Sequence, residues 1–421
     1  MAVNRFLAAA AAVAQVDTFT PGGTIEADDL FILTITGYDG TVEVISVVAG
    51  GSAVADVTAA LETAWNASTG TLTSTITASD ETTNLTLTAD TAGVEFKAVG
   101  TTTEAGGGAA DDQTFIRSAT TDNAGPNSWD AADNWSEGTI PGATADEDTW
   151  IEDSDVDILY GLDQSGAGQT LTSLNFTRTY TGKVGHDGAT GTVGDYLQVK
   201  ASDVQIGEHF SSVRANGSAR IKLDLGATTS DITIHYMATS EDSPKPACRL
   251  LTNSDSTNII EIKKGSVGIA SETGETSVVG DVRISYDTSK ATDASLQIGT
   301  GVTFDLLTCD GGDTITRTTT DLSTKTVTTN GGTLALGGSS AVGTLNVAGA
   351  SVVPTTTGDI TACNITAGTC DFTQSAEPRT VTTLKLDGPG VLEYDPNIVS
   401  LSNKIQPFTA SGKQQYRSTK L

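Results

Sequence analysis

Basic and histidine residues are scarce in this chain of 421 residues: 23 Lys+Arg stand against 52 Asp+Glu, a formal net charge of −29. Nucleic-acid binding needs a concentrated cationic surface, so that class is excluded. The three histidines, His186, His209 and His235, are scattered, and no H-E-x-x-H, nucleophile elbow or phosphate-cradling loop accompanies them. Each reads as a surface or strand-face residue. Aromatics make up only 5% of the chain, too few for a long sugar-stacking groove flanked by paired carboxylates. The four cysteines, Cys248, Cys309, Cys363 and Cys370, are too few for a disulfide scaffold and lack zinc-site spacing. They read as small buried hydrophobes in a reducing compartment, although Cys363 and Cys370 could meet across one turn of a repetitive structure. No run approaches the ~18 apolar residues of a membrane-spanning helix. No catalytic constellation and no cofactor is expected.

What is present is threonine, glycine and valine. Hydrophobic residues at 37%, together with 45 glycines, are enough to bury a core. Threonine and valine are β-branched and favour strands. The composition therefore predicts a mostly β, extended protein.

Residues 16–104 read as a small ββαββ domain. Leu30-Phe31-Ile32-Leu33-Thr34-Ile35-Thr36, the turn at Asp39-Gly40 and Val42-Glu43-Val44-Ile45 predict a hairpin. Val54, Val57, Leu61, Ala64 and Trp65 recur at helical spacing, with Ser52 placed to cap the start. Strands are predicted at 71–78, 84–89 and 94–99. The Gly/Ala-rich segment that follows marks a linker over 105–125.

From residue 126 to about 400 the texture changes. Short alternating runs such as Leu171-Thr172-Ser173-Leu174-Asn175-Phe176, Asp203-Val204-Gln205-Ile206 and Asp231-Ile232-Thr233-Ile234 are separated by Gly, Asn or Asp. Such strands, repeated with almost no helix between them, predict a β-solenoid of parallel β-helix type or a multi-sheet β region.

Both ends are basic. Arg5, the apolar run from Phe6 to Val13 and Ala12-Val13-Ala14 are arranged like a short secretory signal. With Met1 retained, residues 1–15 read instead as an arm that docks on a surface, and their removal is expected to leave a folded body. Residues 401–421 form a basic tail carrying Lys404, Lys413, Arg417 and Lys420.

The segment Ser128-Trp129-Asp130-Ala131-Ala132-Asp133-Asn134-Trp135 through Ile140-Pro141-Gly142, followed by Asp146-Glu147-Asp148-Thr149-Trp150-Ile151, resembles the opening that precedes parallel β-helices in bacterial surface proteins and phage virion proteins. Val3-Asn4-Arg5-Phe6-Leu7 and the ββαββ unit are similar to the start of virion structural proteins of tailed bacteriophages. The resemblance implies a β-helical, oligomeric component of the particle exterior, made in the host cytoplasm, and it transfers no catalytic residue. Trp129, Trp135 and Trp150 then read as a plug at the end of the solenoid.

Asp153, Asp155 and Asp157 would share one strand face and offer oxygen ligands to Ca²⁺, although a solvated acidic face is the favoured reading of them and no metal is expected. The sequence thus predicts a capsid decoration or cement protein, homotrimeric, that grips the major capsid protein or another virion protein through Arg5, Phe6, Leu7, Val13, Lys404, Lys413, Arg417 and Lys420. It is expected to act mechanically rather than as an enzyme. A tail fibre or tailspike that binds host glycans, with possible depolymerase activity, and a bacterial surface adhesin are the alternatives.

Overall fold

The computed structural model describes residues 2–38, 40–104, 112–166, 168–186, 195–208, 217–235, 245–253, 258–284, 294–299, 301–316, 322–337, 341–405 and 416–417. It is mostly β, with a β-solenoid of about 9 turns.

The first strand, β1 (Ala2–Arg5), belongs to the solenoid. Next come β2 (Val16–Gly22), β3 (Leu30–Gly37), β4 (Val42–Val48), α1 (Val54–Ala67), β5 (Ile76–Asp80), β6 (Leu85–Ala89), β7 (Phe96–Thr103) and β8 (Thr114–Thr121). They build two antiparallel sheets, ordered β5-β6-β2-β8 and β4-β3-β7. In β3 strict alternation buries Phe31, Leu33 and Ile35. From α1, Val57, Leu61 and Trp65 join the same core, and the Trp65 indole donates to the Ile76 carbonyl at 2.9 Å.

Several local expectations change here. The N-cap of α1 is Ala53, with no side-chain cap, so Ser52 does not serve. The strand predicted from residue 71 begins at Ile76, because the Glu43 carboxylate holds a turn by accepting the Leu72 and Thr73 N–H groups at 2.9 and 3.1 Å. Residues 114–121, assigned to the linker, form β8, which runs antiparallel to β2 and inserts Phe115 against Phe19 and Phe31 at 5.4 and 5.7 Å. A ββαββ description therefore captures only part of the module. Residues 105–111 of the predicted linker lie outside the described residues.

The solenoid opens with β9 (Glu147–Ile151) and β10 (Leu171–Thr177). All its named strands pair in parallel, each with the strand one turn earlier or later. One stack continues through Ala201–Glu208, Asp231–Ile234, Ile259–Ile262 and Asp281–Ile284, and onward to Val399–Ile405. The second runs through Ile221–Asp224, Cys248–Leu251, Gly265–Ile269 and Ala294–Ile298 to Val391–Glu393 and Tyr416–Arg417. Val342–Pro354 and Ile360–Asp371 are long strands that take part in both stacks. A solenoid needs this register because an in-line stack sets each inward side chain on its equivalent in the next turn. Leu174, Val204, Ile232, Ile260, Val282 and Leu307 form one such ladder, all buried.

The cysteines occupy ladder positions. Cys363 lies between Leu345 and Leu384, Cys248 between Ile221 and Val267, and Cys370 between Val352 and Leu392. Cys309 follows Ile284 and precedes Thr329. All four are buried free thiols standing where aliphatic side chains would. Cys363 and Cys370 lie on one long strand, Ile360–Asp371, and their side chains meet, as expected, within that single turn.

Candidate functional site: the sealed first turn and the domain junction

The residues expected to reach outward from the N-terminus turn back onto the chain. β1 pairs in parallel with β9, Ala2 opposite Glu147 and Arg5 opposite Trp150, and so covers the edge of the first turn. Phe6 is buried, its ring 5.4 Å from Trp135, which lies 4.7 Å from Trp129. Asn134 ties the closure together. Its amide donates to the Gly125 and Ser128 carbonyls at 2.8 and 2.7 Å, and its carbonyl accepts the Ala10 N–H at 2.8 Å. The Glu147 carboxylate, also buried, accepts from the Asn4 amide at 2.8 Å and from the Gly142 N–H at 2.9 Å. Arg5 forms an ion pair with Glu152 and lies 5.9 Å from the Trp150 ring centre.

This corrects the docking-arm expectation. Phe6 is committed to the chain's own core and Arg5 to its own ion pair, leaving Leu7 and Val13 exposed. The plug consists of Trp129, Trp135 and Phe6, while Trp150 points outward from β9 and is only half-buried. At the other end, Lys404 is exposed on the strand Val399–Ile405 and Arg417 belongs to Tyr416–Arg417, so part of the predicted tail is solenoid strand. Lys413 and Lys420 lie outside the described residues.

Asp153, Asp155 and Asp157 do not share a strand face, because β9 ends at Ile151 and Asp153 turns the chain at φ 49°. The Asp157 carboxylate instead accepts the Lys183 N–H at 2.8 Å. Among the described residues no group of three or more His, Cys, Asp or Glu is placed to hold a metal ion.

A cleft of about 380 Å³, marked by no sequence motif, lies where the N-terminal module meets the solenoid. Tyr38, Glu95 and Lys97 line it from the module, and Asp130, Tyr160, Asp163, His186, Asp195 and Tyr196 line it from the solenoid. The Tyr38 ring meets Tyr160 edge-on at 6.3 Å and His186 at 5.5 Å, and Lys97 bridges the junction to Asp195 at 2.9 Å. Partial burial raises the Glu95 carboxyl; Lys97 opposes that rise, and Asp130 and Asp195 add to it. Asp130, open to solvent on one side, is raised chiefly by partial desolvation on the other, with Asp122 contributing. Burial pushes Tyr160 up to about 12 and lowers His186, leaving that ring neutral near pH 7.

Behind the cleft lies a buried ion cluster that the sequence also concealed. Lys222 and Arg249 are register partners on neighbouring turns, and Glu272 bridges them at 3.2 and 2.8 Å. The Lys222 ammonium also donates to the His186 carbonyl at 2.9 Å and sits 4.4 Å from the Tyr196 ring centre. Lys222 is fully buried although it lies between Ile221 and Leu223 on a strand, its ammonium held between Glu272 and the Tyr196 ring. Among the described residues no helix is long and apolar enough to cross a membrane. Comparison of the chain with protein-family models, with curated proteins and with solved structures gives no match.

Proposed function

We propose that the chain is a structural component of the exterior of a bacteriophage particle, a decoration or cement protein that acts by burying surface across shell joints. The observation that supports this reading is the difference between the two ends of the solenoid. The first turn is closed by β1, Phe6 and Trp135. The last described turn carries exposed Lys404 and Ile405 on Val399–Ile405, whose far edge has no partner strand among the described residues. Attachment therefore falls to the C-terminal end, where cations meet an otherwise acidic body, and not to the N-terminal arm. A homotrimer would cover exposed edges around a three-fold axis.

The test combines copy number in purified particles with binding of a variant in which Lys404, Lys413, Arg417 and Lys420 are all changed to Glu. The reading requires many copies per particle and loss of binding by the folded variant. Undiminished decoration by that variant, or oligosaccharide cleavage by the wild-type protein, would overturn it.

A further inference from the structure

The junction cleft combines two properties that arise separately. Its lining carries four carboxylates, Glu95, Asp130, Asp163 and Asp195, against one ammonium, Lys97, which is already paired with Asp195. Its aromatic side is made by Tyr38 and Tyr160, set edge-to-face, with a neutral His186 ring closing the corner. A neutral ligand would leave the carboxylates facing one another uncompensated. An inorganic cation would satisfy the carboxylates but make little use of the tyrosine rings. An organic cation suits both, since its charge meets the acids while its stem and its charge meet the π faces.

We infer that this cleft is a binding site for an alkylammonium or guanidinium group on a short aliphatic stem. The site is assembled only when the module and the solenoid are docked, because Tyr38 and Glu95 come from one and Asp130 and Tyr160 from the other. Binding therefore tightens the junction as well as filling the cleft. The raised Glu95 and Asp130 carboxyls give the site a pH dependence. They face Lys97, Asp195 and Asp122, with Asp163 and the neutral His186 also in the lining and Arg220 acting on His186. A bound cation favours their ionised forms, so affinity rises with pH through their titration.

The experiment is calorimetric titration of the full chain at about 0.15 M salt, where diffuse attraction to an acidic surface is screened. Agmatine stands for a free cation and acetyl-arginine amide for a side chain on a partner protein. Methyl glucoside is the neutral control. One site per chain is expected for at least one cation, weakened about fivefold or more by Tyr38→Ala and by Asp130→Asn. Both side chains keep contact with solvent and neither belongs to a buried core, so the fold should survive each change, which the circular-dichroism spectrum of each variant checks. Asp231→Asn, on a distant exposed strand position, should leave binding unchanged. Affinity should also fall as pH is lowered from neutrality toward the ordinary carboxylate range, through the raised titrations of Glu95 and Asp130. Binding by only one of the two cations identifies the source. The inference fails if neither cation binds, if methyl glucoside binds in their place, or if Asp231→Asn weakens binding as much as Asp130→Asn.

Discussion

Phe6 packs its ring 5.4 Å from that of Trp135, although the whole inserted module separates the two in sequence. That contact makes the solenoid a discontinuous domain: its first strand is β1, the module of two sheets and a helix is inserted after it, and the remaining turns follow. Phe6→Ala should open a cavity against Trp135 and Trp129, costing about 3 kcal/mol or more. The expected readout is a lowered thermal midpoint, with early proteolysis in the first turns while the module's core stays protected. An unchanged midpoint would return the arm to an outward role.

Asn134→Asp removes both amide donations and leaves the Gly125 and Ser128 carbonyls facing a carboxylate. Each buried acceptor left unpaired costs about 1–3 kcal/mol, so the isosteric change should destabilise the protein despite its small size. Denaturant titration of the variant beside wild type measures it.

Glu272→Gln leaves Lys222 and Arg249 buried with their shared counter-ion gone. Breaking a buried pair in this way costs about 3 kcal/mol or more. Replacing all three together by apolar residues of similar volume should recover only part of the loss, because the buried Glu275 carboxyl then loses the Lys222 charge that favours its ionised form. Comparing the single and triple variants by chemical denaturation separates a loss of charge balance from a loss of packing.

Glu95→Gln should stabilise the protein at neutral pH. The folded-state carboxyl is raised above its ordinary value of 4.5, so the folded form binds more protons in the window above that value. Stability contributed by this group is therefore lost as pH rises through the window. Thermal midpoints measured across that window should fall more steeply with pH for wild type than for the variant.

The thiols should be inert in the native state. Burial pushes Cys248 up to about 12 and Cys309 up to about 11. At about pH 8 a thiol-exchange reagent should titrate none of the four until denaturant is added, then all of them. Fast labelling of the native protein would place at least one outside the ladders.

The alternation of Leu30–Thr36, the helical spacing of Val57, Leu61 and Trp65, and the short runs from Leu171 onward determined by themselves that the chain is mostly β, with a small helix-bearing module ahead of a solenoid or multi-sheet region; the parallel in-line pairing that makes it a solenoid was decided by the tertiary structure. Those signals are local, since side-chain direction repeats every two residues along a strand and about every 3.6 along a helix. Only the tertiary structure decided that β1 belongs to the far domain, that residues 114–121 pair with β2, and that Lys222 is buried. Each depends on a partner distant in sequence: Glu147 for Ala2, Phe19 for Arg117, Glu272 for Lys222. The junction cleft was hidden for the same reason, because Tyr38 and Tyr160 acquire a common purpose only when two separately legible units are brought face to face.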